Sequence, residues 1–325
     1  MRLRIPSGAF ALLPLSWAQS QTPPLVDYHQ HLFSPAIVAL ASAVTTSAPP
    51  HLSPVAASAL VAQLDAAGIR RALVLSVAYM YGNPNRPPVD DEYGKVKAEN
   101  DWTSSQVARF PDRLRGFCGV NPLKDYALEE IARCAKDPSL HFGVKMHFGN
   151  SDVNLDDPEH VEHLRRIFRA AGEHRMAIAV HMRSSVTRQR PYGKREARAF
   201  LGELLSVVPD AVVQIAHLTG GGGYDDSSTD QALSVFVDAV ARHDTKMAHV
   251  YFDASGIAGY GRWTDKKELI ATRIRQLSVE RILYGSDSAA AGGLAPREAW
   301  AAFRKLPLTD AEFRTIATNV APYMR

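Results

Sequence analysis

Cysteine is nearly absent from this chain: 325 residues contain two, Cys118 and Cys134. That scarcity excludes a disulfide framework and a thiolate zinc site, and the expected role of the pair is as two small buried side chains. A single bridge between them stays open only for an exported protein. A long apolar run is missing too, since no stretch reaches the roughly 18 apolar residues a membrane span needs. Charge of one sign is not in excess. Lys and Arg number 37 against 34 Asp and Glu, a formal +3, which leaves no basic footprint for nucleic acid. The run Gly220 to Gly223 lacks the Gly-x-Gly-x-x-Gly order and any Walker lysine, so it reads as a loop that lets the backbone approach closely. No fixed repeat and no low-complexity linker marks a second domain.

What is present begins with residues 1–20. Arg2 and Arg4 precede an apolar segment, residues 8–17, and Ala18-Gln19-Ser20 puts small residues before a plausible cut at Gln21. The expectation is a signal peptide over 1–20 and one domain over 21–325, with a periplasmic or secreted location. The alternatives are an N-terminal extension and a cytoplasmic protein.

From residue 25 onward, short Val/Ile/Leu-rich runs alternate with segments of helical period, and 46% apolar residues supply a large core. Eight runs are expected as strands: Leu25–His29, Arg71–Val77, Arg115–Val120, Phe142–Phe148, Ala177–His181, Ala211–His217, Val250–Ala254 and Arg281–Tyr284. Intervening helices include Pro54–Ala67 closed by Gly68, Pro158–His174 capped by Asp156 or Asp157, and Arg195–Val208. Strict alternation over this length favours a single (β/α)8 TIM barrel over an open doubly wound sheet.

In such a barrel the chemistry sits at the C-terminal ends of the strands. Coordinating residues fall there repeatedly: His29 and His31 at the first run, Lys145 and His147 at the fourth, His181 at the fifth, His217 at the sixth and Asp287 just past the eighth. Simple alternation along the first strand puts Asp27, His29 and His31 on one face. Two imidazoles on one face can share a zinc-type cation, although His-x-His alone is a weak signal.

Together, His29-x-His31, Gly143-Val144-Lys145-Met146-His147, Val180-His181, Ala216-His217 and Tyr284-Gly285-Ser286-Asp287 resemble the metal-dependent amidohydrolase superfamily. More narrowly they resemble its amidohydrolase-related branch, over residues 25–321, where Asn100-Asp101-Trp102 and Phe110-Pro111-Asp112-Arg113 also fit. The resemblance implies one divalent ion, zinc or manganese, held by His29, His31, His181 and Asp287, with Asp287 as general base. It also implies that His217 polarises a carbonyl or protonates the leaving group. Asp27 is a candidate partner behind His29, or a structural residue.

Lys145 divides two readings: a carbamate bridging a second ion, as in binuclear relatives, or a cation facing Asp27 or a substrate carboxylate. The second carries more weight. His147, Tyr79 and Tyr81 are further candidates for substrate contact. Arg183, Arg188 and Arg190 suit an acidic substrate if they face the site, and a solvated loop if they do not. The expected function is hydrolysis of a C–N or C–O bond (amide, lactone or ester) in a small molecule. The alternative is a metal-dependent non-oxidative decarboxylase. The expected partner is a small-molecule substrate, with no nucleic acid and no membrane span, and a homo-oligomer is left open.

Overall fold

Runs of β-branched and other apolar residues bury both faces when they form parallel strands under helices, and each of the eight expected runs does so. The strands are β1 (Val26–Gln30), β2 (Arg71–Leu75), β3 (Leu114–Gly119), β4 (Gly143–His147), β5 (Ala177–His181), β6 (Val213–Ile215), β7 (Val250–Asp253) and β8 (Ile282–Leu283). Every neighbouring pair is parallel, in the order β1 to β8. The ring closes through Tyr28 N–H to the Tyr284 carbonyl at 2.8 Å and Asp287 N–H to the His29 carbonyl at 2.9 Å. The result is a single (β/α)8 barrel. This computed structural model describes residues 22–43, 53–184, 189–221, 224, 227–257, 265–289 and 293–325. The expected leader over 1–20, Arg188, Gly222 and Gly223 lie outside the described residues.

The helices follow their sequence signals closely. The helix after β1 and its loop, α1 (Pro35–Ser42), is capped by Ser34, and α2 (Ala57–Ala67) stops at Gly68, whose left-handed φ of 70° suits a residue without Cβ. Next come α3 (Glu92–Ala108), α4 (Ala127–Cys134), the short α5 (Phe148–Ser151) and α6 (Pro158–Glu173). Of the two aspartates before α6, Asp157 makes the cap and accepts from Glu159 N–H at 2.9 Å. The fifth expected helix, Arg195–Val208, is not one continuous α-helix. It is α7 (Lys194–Ala199), a wider turn over Phe200–Leu204 and a tight turn over Leu205–Val207. The wide turn advances the apolar face so that Phe200, Leu201, Leu204 and Leu205 are all buried. The chain continues through α8 (Ser227–Ala241), α9 (Lys267–Leu277), α10 (Pro296–Phe303) and α11 (Asp310–Thr318). No described helix is long and apolar enough to cross a membrane.

Of three buried apolar clusters, one groups Phe33, Ile37, Tyr79, Tyr81 and Val96, and the other two hold the barrel itself. The larger lies between strands and helices. The smaller fills the floor of the barrel with Val26, Tyr28, Leu73, Leu75, Phe117 and Leu283, and the turn Pro322–Met324 folds under it to contribute Tyr323 and Met324. Phe117 is fully buried there, so Phe117→Ala would cost about 3–5 kcal/mol through lost transfer energy and the cavity left behind.

The cysteines require a correction. Rather than standing as separate thiols, Cys118 of β3 and Cys134 at the end of α4 form a disulfide, with Cα atoms 6.1 Å apart. The pairing could not be read from a spacing of 16 residues, because it depends on α4 folding back over the outer face of β3.

Candidate metal centre at the barrel mouth

The first strand does not keep simple alternation. Asp27 pairs with Ala72 and Gln30 with Val74, so three steps on β1 match two on β2 and a bulge intervenes. The consequence is a change of face. Val26 and Tyr28 belong to the floor cluster, yet His29 turns toward Asp253 and His217. His29 and His31 still come together, ring centroids 5.1 Å apart.

Asp27, by contrast, does not stand behind His29. Its carboxylate accepts from Gln30 Nε2 at 2.7 Å, Ser286 N–H at 3.0 Å and His29 N–H at 3.2 Å, stitching β1 to the segment after β8. The partner of the His29 ring is Asp253, the last residue of β7, whose Oδ2 lies 3.1 Å from His29 Nδ1. Asp253 goes unnamed in the sequence reading although it stands one residue from the end of the seventh run, where the strand-end rule points.

Hydrogen bonds then sort the histidines by tautomer. A carboxylate or carbonyl can only accept, so His29 Nδ1 (to Asp253), His31 Nδ1 (2.7 Å to the Leu75 carbonyl) and His217 Nδ1 (2.9 Å to the Ser255 carbonyl) all carry hydrogen. Each therefore turns a bare Nε2 toward the site. His147 is the reverse: its Nδ1 accepts from Asn150 N–H at 3.0 Å, which puts the proton on Nε2. The ring of His147 stacks on His181 at 3.8 Å and tilts against Tyr79 at 5.3 Å, while His181 meets His217 edge-on at 5.0 Å.

Burial is the main reason these rings stay neutral. It holds His29, His147 and His181 well below the usual imidazole range and His31 at about 3; the Lys145 ammonium adds to the effect in all four. Lys145 is itself buried, which pulls its amine down to about 8 against the opposing pull of Asp253 and Asp287. For Asp253 burial pushes upward, but His29, His217 and Ser255 together outweigh it and hold the carboxyl below its ordinary value. Asp287 goes the other way, raised to about 8 chiefly by burial and, with Lys145 opposing, by the Asp253 and Asp27 charges.

One ligand atom from each of His29, His31 and Asp287 lies within 4.8 Å of the others, and Asp287 Oδ1 is 3.7 Å from His31 Nε2. That oxygen is buried and has no hydrogen-bond partner. Two bare imidazole nitrogens and an orphaned carboxylate oxygen fit a divalent cation in both charge and donor chemistry. His181 lies outside this three-donor group. Among the described residues two other groups of the kind occur, and neither suits an ion. In the first, Asp253 is already committed to His29 Nδ1 and to the His217 and Ser255 backbone N–H groups, and in the second Cys118 and Cys134 form the disulfide.

Backbone strain gathers at the same rim. His217, Leu218 and Thr219 take φ of 54°, 47° and 73°, and Asp287 takes 53°, a region that non-glycine residues rarely occupy and that costs of order 1–3 kcal/mol each. Close approach adds a glycine requirement at position 285, where a Cβ would sit 2.8 Å from the Cβ of His29.

The remaining expected residues divide. Tyr79 is buried beside His147 and faces the Asp287 charge. Tyr81 is not brought to the histidines; it faces Glu99, and its hydroxyl is pushed up to about 12, mainly by burial. Arg183 is half-buried over the Tyr192 ring with Nη1 3.0 Å from Ser228 Oγ. Arg190 grips Asp152 with two bonds of 2.8 and 2.9 Å, so its guanidinium is committed there rather than to a carboxylated ligand.

A family described as amidohydrolase matches residues 26–319. No curated protein sequence matches. Among solved structures, a 5-carboxyvanillate decarboxylase from Sphingomonas paucimobilis superposes with a TM-score of 0.62 at 17% identity, over 94% of this chain and 99% of that one. A probable 2-pyrone-4,6-dicarboxylic acid hydrolase from Acinetobacter baumannii, with citric acid bound, gives 0.57 at 15% identity, over 90% and 96%. An amidohydrolase from Burkholderia multivorans with bound zinc gives 0.58 at 11%, over 90% and 95%.

Proposed function

Because the chain belongs to the amidohydrolase family, we propose that it is a metal-dependent hydrolase that cleaves a C–N or C–O bond, in an amide, lactone or ester, of a small carboxylated substrate. One observation carries this reading: bare donors of His29, His31 and Asp287 converge, and the Asp287 oxygen among them is buried with nothing to bond. We assign His29, His31, His181 and Asp287 as the residues that hold one divalent ion, zinc before manganese because neutral imidazoles dominate the set. When bound, the ion would lower the pKa of water and polarise a substrate oxygen.

The chain's own groups do the rest. Asp287 accepts a proton from water, acting as general base. His217, with Nδ1 bound to Ser255 and Nε2 bare, is suited to take up a proton and give it to the leaving group. His147, whose tautomer carries the proton on Nε2, is suited to hold a substrate oxygen. The Lys145 ammonium and Arg183 supply charge for a carboxylate.

Those same cationic groups favour a second reading, non-oxidative decarboxylation, since they would fix a leaving carboxylate equally well. The test is to incubate zinc- and manganese-loaded protein with lactones, amides, esters and aromatic acids in water enriched in oxygen-18. Label in the product supports hydrolysis. Carbon dioxide release without water consumption overturns it in favour of the second reading, and turnover that survives complete chelation overturns both. The Cys118–Cys134 bridge supports a periplasmic or secreted location, because disulfides persist mainly in oxidising compartments.

A further inference from the structure

The polar line behind the histidines does not end at Asp253. Gln214 of β6 is fully buried below it, and its Nε2 donates to Asp253 Oδ2 at 2.6 Å and to the Tyr28 carbonyl at 3.1 Å. Both partners can only accept, so the amide nitrogen must face the mouth and Oε1 must face the floor. There Oε1 accepts from the hydroxyl of Tyr323. Tyr323 sits in the turn that closes the floor, edge-on to Tyr28 at 6.1 Å and to Phe117 at 5.1 Å.

At its upper end, Asp253 bonds one imidazole directly and reaches a second through Ser255. Oδ2 takes His29 Nδ1, while Oδ1 takes the His217 and Ser255 backbone N–H groups, both at 3.1 Å, and the Ser255 hydroxyl. Ser255 in turn meets His217 Nδ1 through both its carbonyl and its hydroxyl, each at 2.9 Å. An unbroken line of hydrogen bonds therefore runs from the tail, up the inside of the barrel, to two rings of the candidate metal centre.

We propose that Tyr323 is a positioning residue for the metal centre, acting through Gln214 and Asp253 to hold His29 and His217 with their Nε2 atoms bare and aimed into the site. The physical reason lies in the amide. Without the Tyr323 hydroxyl, Gln214 must either leave Oε1 buried and unpaired or flip it against the Asp253 carboxylate, where two acceptors repel. Either outcome loosens Asp253 and the tautomers it fixes, much as loss of a ligand's supporting partner weakens a metal site. The proposal rests on the metal-site reading above for its consequence, though not for the ring tautomers.

Two tail anchors separate positioning from mere support. Tyr28 Oη also holds the tail, accepting from Ala321 N–H at 2.7 Å and donating to the Asn319 carbonyl at 3.2 Å, and has no bond to the Gln214 side chain. Zinc affinity would be measured by chelator competition, and ring nitrogen-15 shifts of His29 and His217 in metal-free protein, for the wild type, Tyr323→Phe and Tyr28→Phe. Tyr323→Phe should weaken zinc about threefold to tenfold and move the His29 shifts toward mixed tautomers. Tyr28→Phe should lower the Tm yet keep zinc affinity within about twofold and the shifts unchanged. Wild-type affinity and shifts in Tyr323→Phe would overturn the proposal, as would an equal loss in both variants. A wild-type protein that takes up no zinc would sink the metal reading, and unchanged His29 shifts in Tyr323→Phe would still count separately against the tail.

Discussion

At the floor of the barrel, Tyr28 Oη, Arg71 and Arg115 each find backbone partners in the tail, and the aromatic rings pack edge to face. At the mouth, Asp287 Oδ1 is buried without a partner and burial drives imidazoles and a lysine toward neutrality, whereas left-handed backbone occurs at both ends, at His217 to Thr219 and Asp287 above and at Arg175, His243 and Ser278 below. The floor is arranged for stability. The mouth holds buried polar capacity that the chain itself leaves unmet. The same eight strands build both ends, so the difference lies in what the strand ends carry.

Asp287→Asn offers the hardest test of that contrast. Turnover should fall by more than the roughly 10- to 100-fold that loss of a ligand's outer partner costs. The Tm of the metal-free protein, read above pH 8 where the buried Asp287 carboxyl is ionised, should meanwhile hold or rise by about 1–4 °C, because asparagine tolerates a left-handed φ and carries no buried charge. A fall in Tm would mean that the mouth is not strained by this carboxylate. Arg183→Ala should raise KM about tenfold or more for a carboxylated substrate while leaving Tm and neutral substrates nearly untouched, and equal loss for both substrate types would exclude a carboxylate clamp.

The floor should answer in the opposite sense. Arg115→Ala removes bonds to the Tyr323 and Arg325 backbone oxygens and should lower the Tm by about 2–5 °C, which a thermal melt would read directly. The smallest effect concerns Glu99, buried on the mouth side with Oε2 2.5 Å from Ser34 Oγ and Oε1 unpaired. Burial raises its carboxyl to about 7, against an ordinary 4.5. Between those values the folded protein keeps a proton that the unfolded chain has lost, so stability declines as pH rises through the window and levels off above it. Glu99→Gln should flatten that slope in melts taken from pH 4.5 to 7.5; an unchanged slope would assign it to another group.

The barrel and the strand-end placement of the candidate residues were legible in the sequence, because parallel strands need apolar runs and barrel chemistry falls at their ends. His29, His31 and Asp287 could be named that way and do converge. What the sequence could not determine turns on contacts between residues far apart in the chain. The bulge in β1 changes which face His29 occupies, Asp253 displaces Asp27 as its partner, and Arg190 is drawn off to Asp152. The disulfide and the Tyr323–Gln214–Asp253 line belong to the same class. Periodicity reports which side of an element is apolar; a hydrogen bond across 39 or 109 residues, as from Gln214 to Asp253 or from Tyr323 to Gln214, exists only once the closed ring has brought both ends together.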